Sequence, residues 1–361
     1  MSHDPRITTI VPTYQRPVLL KRAVLSVLNQ TRQDFIVRIL DNASGDGTET
    51  VARELMRTDP RIEYHRHPEN IGSLNNMIYG MARVSTPFFN ILCDDDLLMP
   101  SFFADALALH DEAGREPAFV STRVVVLDEQ GAISTPFPHP DERRTFMPPD
   151  GMPRCVNVGV SLPGVLYRTR AVQEIGPPRD AWWNWTESGW HGLMAIRSPI
   201  AFSPGAGAVM YDHLASGSKK MERIEFKVSW FRMLADVREA AAQAGARAAV
   251  LAEVTPRLRS MFASTCLRIS RERDAQAFRE FREHAVRSGM NTTAVACALT
   301  LARVVSRLGA GDLLNGAVDA LASRRTGPAA ARPPRADAMI SSASSVVLHL
   351  NGQAGVAPHH A

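Results

Sequence analysis

Three consecutive aspartates, Asp94, Asp95 and Asp96, directly follow the apolar run Phe88–Leu92. Adjacent carboxylates repel one another, so such a triplet is costly unless a positive group neutralises it. A hard divalent cation, Mg²⁺ or Mn²⁺, does this with oxygen ligands and keeps further positions open for phosphate oxygens. The triplet therefore predicts a Mg²⁺ or Mn²⁺ site that also receives phosphates. The alternative is a solvated acidic loop or a helix cap before residues 97–113.

Polar residues also follow the first two predicted strands. Pro12, Thr13 and Tyr14 come after the first strand, and Asp41 and Asn42 come after the second. Neighbouring strands of a doubly wound sheet end side by side, so the two loops could hold one flat ligand between them. In that arrangement the Asp41 carboxylate would accept an imide N–H, and the Tyr14 ring would pack against a base. The alternative is that Pro12 and Asp41 only terminate their strands.

The elements that must position these residues alternate along the first part of the chain. Apolar and β-branched runs predict strands, and helical periodicity predicts helices between them. The predicted strands cover 7–11, 35–40, 61–65, 88–92, 119–127 and 164–167, and the predicted helices cover 17–28, 48–57, 73–82, 101–113 and 171–175. Repeated β-α units of this length predict a parallel sheet with helices on both faces and ligands at the carboxyl ends of the strands. The proline-rich stretch 135–163 is predicted to be a loop on the substrate side.

Charge divides the chain of 361 residues unevenly. Residues 1–218 hold 20 Lys and Arg against 25 Asp and Glu, a net charge of −5, whereas residues 219–325 hold 19 against 11, a net charge of +8. The acidic part suits a divalent-cation site, and the basic part suits phosphates, anionic lipid or an acidic partner. The alternative for the basic part is a set of solvated, arginine-rich helix faces. Its Ala, Arg and Leu content predicts helices from 223 to 322, and the small, Pro-rich stretch 326–361 predicts a disordered tail.

Composition excludes several classes of protein. The length of 361 residues excludes a disulfide miniprotein, and 45% apolar with 22% charged residues excludes wholesale disorder. No apolar stretch approaches the roughly 20 residues of a membrane-spanning helix, and the N-terminus lacks a signal-peptide pattern, so we expect a cytoplasmic protein. No glycine follows the first strand, which excludes a dinucleotide-binding oxidoreductase and a Walker-type phosphate loop. The cysteines form no Cys-x-x-Cys pair and are expected to be free thiols; they are Cys93, Cys155, Cys266 and Cys297.

Three stretches together resemble glycosyltransferase family 2, whose members are inverting, nucleotide-sugar-dependent enzymes of the GT-A fold. They are TTIVPTYQRPVLLKRAVLSVLNQTRQDFIVRILDNASGDGT, HPENIGSLNNMIYGM and ILCDDDLLMP. The resemblance is continuous over residues 7–113 and thinner to about 218. It implies a GT-A domain over 1–218, with a doubly wound mixed sheet that is mostly parallel. A helical C-terminal appendage over 219–325 and the tail 326–361 would follow.

The resemblance also implies roles for the strand-end residues. Thr13 and Asp41 would contact the base, and Asp94 and Asp95 would bind the ribose and the metal-diphosphate. The commonest family spelling begins the acidic motif with Asp, whereas this chain has Cys93, as do members that resemble the spore-coat polysaccharide glycosyltransferase. We therefore expect Asp95 to be the metal ligand, with Asp96 as the alternative.

An inverting displacement needs a base that takes the proton of the acceptor hydroxyl. The family places this base at a late Glu-Asp pair, and the matching stretch here puts Glu187 on the base position with Thr186 before it. Glu187 thus stands where the family usually has Asp, and the reserve candidate is Asp180. The alternative is that Glu187 is a surface carboxylate. Tryptophans surround this stretch at 182, 183, 185 and 190, and they would stack on sugar, with Trp185 at the acceptor, or form a lid over the core.

The segment 211–220 resembles the closing part of the family domain. His213 follows a strand there and would bind the metal or a phosphate oxygen. Ser218 and Lys219, or Lys220 in place of Lys219, would contact the diphosphate and neutralise the leaving group. The alternative is that His213 is a hydrogen-bonded structural residue.

These features together predict an inverting, metal-dependent glycosyltransferase. It would move a sugar from a UDP-, dTDP- or GDP-sugar to a hydroxyl of a saccharide, lipid-linked or small-molecule acceptor, with Mn²⁺ or Mg²⁺ as cofactor. No nucleic-acid partner is expected, and a peripheral contact with the inner face of the membrane is an option. The competing hypothesis is a non-catalytic GT-A scaffold protein that docks on a membrane or partner through its basic helices.

Overall fold

The computed structural model describes residues 4–112, 114, 116–128, 139–157, 160–178, 186–212 and 223–256, together with residues 281, 283 and 286. The strands are β1 (Ile7–Thr13), β2 (Phe35–Asp41), β3 (Ile62–Arg66), β4 (Phe88–Ile91), β5 (Leu97–Leu98), β6 (Phe119–Asp128), β7 (Arg144–Phe146), β8 (Val165–Arg168) and β9 (Ile200–Asp212). The helices are α1 (Pro17–Leu28), α2 (Thr48–Thr58), α3 (Ser73–Met81), α4 (Phe102–Glu112), α5 (Met152–Asn157), α6 (Thr169–Ile175), α7 (Thr186–Arg197) and α8 (Arg223–Gln243). A further helix covers 248–256.

The strands form one mixed sheet in the order β3-β2-β1-β4-β8-β6-β9-β5, and β7 pairs with the start of β9. Strands β1 to β4 are parallel to one another, β8 runs against β4 and β6, and β6 is again parallel to β9. The strands β1, β2, β4, β6 and β9 therefore end at one edge, which we call the carboxyl edge. The longest pairings, β1 with β2 and β6 with β9, are parallel, so the expected GT-A-type mixed sheet is confirmed.

Alternating side chains of the strands bury apolar surface on both faces of the sheet. On one face Ile7 and Val11 pack with residues of α1, α2 and α4. On the other face Ile10 and Leu40 belong to the core that includes α5, α7 and α8. Helix α3 approaches this second face closely at Gly80, where a Cβ atom would lie 2.7 Å from Ile10 Cγ2. Helices thus cover both faces, as the β-α pattern predicts.

Several elements differ from the sequence expectations. Within the stretch 135–163, expected to be a loop, the structure forms β7 and α5, because Phe146, Met152 and Cys155 are buried despite the prolines around them. The expectation of a loop is wrong for these parts. The two-residue strand β5 and the helix α7 were not predicted from the sequence.

The start of the basic region takes part in the main core. Helix α8 packs on α7, and its residues Phe231, Leu234 and Val237 are fully buried in the same cluster as the sheet residues. The helices at 223–243 and 248–256 agree with the predicted helical segment, while the division at 218 and 325 stays a prediction and 326–361 lies outside the described residues. Cys93 and Cys155 are free thiols, and Cys266 and Cys297 also lie outside the described residues. Among the described helices, none combines the length and apolar character that crossing a bilayer requires.

Candidate active site

The acidic triplet lies at the carboxyl edge, in the turn between β4 and β5. The turn is closed by the Asp96 N–H, which donates to the Cys93 carbonyl oxygen at 3.1 Å. Asp94 and Asp96 are buried, and the Asp95 side chain is 17% exposed. Possible ligand atoms of Cys93, Asp95 and Asp96 lie within 4.8 Å of one another. The structure therefore brings the predicted metal-binding carboxylates together.

Two residues of the first loop contact the triplet directly. Thr13 Oγ1 donates to Asp94 Oδ2 at 2.8 Å, so the end of β1 is joined to the end of β4. Arg16 Nη1 donates to Asp94 Oδ1 at 3.1 Å and to Asp95 Oδ2 at 2.8 Å. Burial and the Asp95 charge raise the pKa of Asp94 to about 6, against the opposing effects of Arg16 and Thr13. Asp94 is thus a buried carboxylate whose charge depends on its neighbours.

The rest of the triplet fits a hard divalent cation. Burial, followed by the Asp95 charge, raises the pKa of Asp96 well above its ordinary value, while the backbone N–H of Tyr211 donates to its carboxylate and acts in the opposite sense. Burial raises the pKa of the Cys93 thiol as well, so the thiol stays protonated and is a poor ligand for such a cation. Oxygen ligands from Asp95 and Asp96 match the preference of Mg²⁺ and Mn²⁺. These two residues, rather than Cys93, would hold the ion.

Asp41 and Asn42 lie at the end of β2, next to Thr13, as predicted. Asp41 is fully buried and accepts hydrogen bonds from the Ser44 N–H at 2.9 Å, the Ser44 hydroxyl at 2.5 Å and the Tyr64 hydroxyl at 2.7 Å. Asn42 is 3% exposed, and its side-chain amide donates to Asn70 Oδ1 at 2.8 Å and accepts from the Ile71 N–H at 2.9 Å. Both side chains therefore tie loops together in this structure. A base could reach Asp41 only after Tyr64 or Ser44 turned away from it.

The other two residues of this predicted group have different settings. Tyr14 is 41% exposed at the carboxyl edge, so the face of its ring is open to a ligand. Pro12 is half-buried within β1 and is paired with Leu40 of β2. Tyr14 is therefore the member of the group best placed to pack against a base.

Glu187 lies in the first turn of α7, close enough to the triplet for its charge to act on Cys93 and Asp96. Glu187 is half-buried, and desolvation by burial raises its pKa to about 7. Its charge in turn contributes to the raised pKa values of Cys93 and Asp96. Helix α7 is placed there by packing on α5 and α8. The structure thus sets a carboxyl group with a pKa close to neutral beside the predicted metal site, which suits a general base.

Helix α7 also carries two buried ring side chains, His191 and Trp190, and His191 was not predicted from the sequence. His191 is fully buried, its Nε2 lies 2.6 Å from the Tyr167 hydroxyl, and burial lowers its pKa to about 3. Trp190 donates its indole N–H to the Gly176 carbonyl oxygen at 2.9 Å and is 2% exposed. Trp190 therefore belongs to the core instead of forming a surface for sugar stacking.

A buried arginine behind the triplet was also missed. Arg22 on α1 is 1% exposed, and its guanidinium carbon lies 4.5 Å from the centroid of the Tyr211 ring. Burial lowers the pKa of Arg22, while the charges of Asp95 and Asp96 act to raise it. Its only sequence signal is its place on the apolar face of a predicted helix, a position that an arginine seldom takes without counter-charges.

The remaining predicted site residues lie outside the described part of the chain. They are Asp180, Trp182, Trp183, Trp185, His213, Ser218, Lys219 and Lys220. Their roles stay predictions.

The sheet, with an acidic triplet after β4 and a carboxyl group near it on α7, defines a protein of the GT-A fold class. The fold matches that of S. aureus TarS residues 1–349, solved in complex with UDP-GlcNAc, with a TM-score of 0.64 and 13% identity over 84% of this chain and 92% of that chain. At this identity the likeness concerns the fold.

Sequence comparison adds relatives that match about a quarter to a third of the chain. A Campylobacter jejuni GalNAc(5)-diNAcBac-PP-undecaprenol beta-1,3-glucosyltransferase is 35% identical over 96 residues, which are 26% of this chain and 31% of that protein. A validoxylamine A glucosyltransferase of Streptomyces hygroscopicus subsp. jinggangensis is 34% identical over 125 residues, which are 33% of this chain and 28% of that protein. The chain therefore spans less than a third of the length of each of these relatives.

Residues 8–173 match the sequence model of Glycosyl transferase family 2. This part of the chain is thus a glycosyltransferase family 2 domain, in agreement with the family that the sequence resemblance predicts. The matched range includes the triplet and both strand-end loops, while Glu187 lies beyond it.

Proposed function

We propose that this protein is an inverting glycosyltransferase that moves a sugar from a nucleoside-diphosphate donor to a hydroxyl group of an acceptor. The observation that carries the proposal is the placement of Glu187, whose carboxyl group has a pKa of about 7 and lies close enough to the acidic triplet to raise the pKa of Asp96. A base and a metal-diphosphate site must lie side by side in an inverting transfer, because the acceptor attacks the carbon that bears the diphosphate.

The donor would bind at the carboxyl edge. Tyr14 would pack against the base, and Asp94, held by Thr13, would face the ribose. Asp41 and Asn42 would shape this pocket, with Asp41 reaching the base if its present partners move. Asp95 and Asp96 would hold Mn²⁺ or Mg²⁺, which supplies positive charge that stabilises the leaving diphosphate. His213, Ser218 and Lys219 are proposed to complete the diphosphate side.

In the proposed reaction Glu187 accepts the proton of the acceptor hydroxyl. The hydroxyl oxygen forms a bond to the anomeric carbon from the face opposite the diphosphate, the bond from that carbon to the diphosphate oxygen breaks, and the configuration inverts. The proton ends on the Glu187 carboxylate. Glu187 must be ionised to act, so with its pKa near 7 we expect the rate to rise as the pH increases through this range.

We propose three classes of acceptor, namely a saccharide, a lipid-linked molecule and a small molecule. Trp185 would contact the acceptor. The C. jejuni relative is named for a lipid-linked acceptor and the Streptomyces relative for a small molecule, so both chemistries occur on related domains. A cytoplasmic enzyme with peripheral membrane contact through its basic region fits a lipid-linked acceptor.

A donor panel tests the proposal. The full chain is incubated with UDP-, dTDP- and GDP-sugars in Mn²⁺ or Mg²⁺, and release of the nucleoside diphosphate is measured with and without candidate acceptors. We expect release with one nucleotide class and a marked loss when the cation is chelated. Absence of nucleotide binding and of release throughout the panel would favour the non-catalytic scaffold instead.

A further inference from the structure

Arg16 occupies carboxylate oxygens that the proposed metal needs. It immediately precedes α1, and one of its guanidinium nitrogens donates both to Asp94 Oδ1 at 3.1 Å and to Asp95 Oδ2 at 2.8 Å. Asp95 is the predicted metal ligand. A guanidinium and a divalent cation at one carboxylate repel each other strongly at such short range. A cation that binds Asp95 therefore has to weaken or break this ion pair.

The two arginines near the triplet differ in their freedom to move. Arg22 is 1% exposed and packed under the Tyr211 ring, so it stays in place as a fixed counter-charge for Asp95 and Asp96. The Arg16 side chain is 31% exposed and can rotate into solvent without opening the core. Exchange with a cation is thus possible for Arg16 and not for Arg22.

We propose that Arg16 is an exchangeable counter-ion of the triplet. It pairs with Asp94 and Asp95 when no ligand is bound, and it moves to the diphosphate when a metal-bound nucleotide binds. The inference rests on the proposed function, since it needs the diphosphate at this edge. A displaced guanidinium has lost a carboxylate partner, and a diphosphate bound beside Asp95 offers phosphate oxygens that match its donors. Metal and nucleotide then bind cooperatively, because each makes the exchange easier for the other.

Binding of Mn²⁺ tests this without any measurement of activity. Free Mn²⁺ is followed by electron paramagnetic resonance during titration of the full chain, alone and with saturating UDP, with GDP in a parallel series. In Arg16→Gln we expect Mn²⁺ alone to bind about 10-fold more tightly, because the competing charge is gone. The factor by which the nucleotide tightens Mn²⁺ binding should fall by about 10-fold, because the diphosphate no longer gains a guanidinium partner.

Two further variants sharpen the test. Arg32→Gln is the matched control, because Arg32 pairs with Asp34 at 2.6 Å and its side chain is 37% exposed, but the pair lies at the opposite edge of the sheet. Arg32→Gln should leave the Mn²⁺ dissociation constants unchanged, both without and with nucleotide. Arg16→Lys keeps one positive charge but places it on a shorter side chain with a different donor geometry, so its Mn²⁺ dissociation constants should fall between those of wild type and Arg16→Gln.

The outcomes separate this inference from the proposed function. Equal Mn²⁺ affinity of wild type and Arg16→Gln would overturn the exchange, and tighter Mn²⁺ binding with an unchanged effect of nucleotide would overturn the transfer to the diphosphate. Wild-type protein that binds neither UDP nor GDP in Mn²⁺, while Arg16→Gln still binds Mn²⁺ more tightly, would reject the proposed function and retain the competition at Asp95.

Discussion

Carboxyl groups with different environments come together at the carboxyl edge from the turn after β4 and from helix α7. Asp95 is ion-paired with Arg16, whereas Asp96 is buried, Glu187 is half-buried, and both have raised pKa values. Carboxyl groups that share a site but bind protons with different affinity can take different roles, because one can hold a cation while another acts as a base. Such a set of carboxylates is what the proposed inverting transfer requires.

The raised pKa of Glu187 predicts a pH-dependent effect of Glu187→Gln on stability. The native protein binds this proton more tightly than the unfolded chain, so the native state is favoured below pH 4.5 and loses that contribution as the pH rises towards 7. Glutamine does not ionise, so Glu187→Gln does not lose this stability as the pH rises. We expect the melting temperature of Glu187→Gln, relative to that of wild type, to increase from pH 5 to pH 8. The corresponding relative gain in the free energy of unfolding is roughly 2–3 kcal/mol. A difference that is independent of pH would place the pKa near its ordinary value.

The buried hydrogen bonds of Asp41 predict that its substitution lowers the stability of the fold. Its carboxylate accepts hydrogen bonds from Ser44 and Tyr64 at zero exposure, so Asp41→Ala leaves buried donors without partners. We expect a loss of about 2–4 kcal/mol in the free energy of unfolding, measured by urea denaturation. Asp46→Ala is the control, because Asp46 is exposed in the same loop and accepts from the Thr48 N–H. Unchanged stability of Asp41→Ala with weaker nucleotide binding would make Asp41 a ligand contact alone.

At the scale of elements, helix α7 is the part that completes the site. It carries Glu187 and is packed between α5 and α8, with Gly192 at the closest contact. A Cβ atom at Gly192 would lie 2.9 Å from side-chain carbons of both Val156 and Val237, which are buried. The position of Glu187 therefore depends on close packing between these three helices.

Gly192→Ala tests this dependence. The added methyl group must push α7 away from α5 or α8, so we expect a loss of about 1–3 kcal/mol in stability and a lower rate of transfer. Gly205→Ala is the matched control, because the nearest atoms to a Cβ there lie at an ordinary 3.8 Å. Full stability and activity of Gly192→Ala would show that α7 adjusts without moving Glu187.

At the scale of the whole molecule, the sheet and the strand-end loops could be predicted because their signals are local. Apolar runs mark β1, β2 and β4, and the carboxylates follow them directly in the chain. Helix α7 could not be predicted in this way, since Gly189 and Gly192 disfavour a helix and packing on α5 and α8 decides its conformation. The contact of Arg16 with Asp94 and Asp95 joins residues 78 and 79 positions apart, so no local pattern reveals it.

The whole molecule also predicts where the chain can be shortened. Because Phe231 and Leu234 are fully buried in the core, a chain that ends at 222 should unfold or melt at a much lower temperature. A chain that ends at 325 should melt like the full chain if 326–361 is the predicted disordered tail. Circular dichroism during heating compares the two. Equal stability of the chain ending at 222 would make α8 an independent appendage.

Transfer by Glu187→Gln, measured in a single turnover with the donor that the panel identifies, is the direct test of Glu187 as the base. We expect nucleotide and Mn²⁺ binding to persist while transfer falls by roughly 10²–10⁴-fold, the effect of removing a general base. Glu174→Gln, which alters an exposed glutamate on α6, should transfer at the wild-type rate. Transfer at a near-normal rate by Glu187→Gln, with loss in Asp180→Asn, would move the base to Asp180, and retention of the anomeric configuration in the product would contradict the single displacement itself.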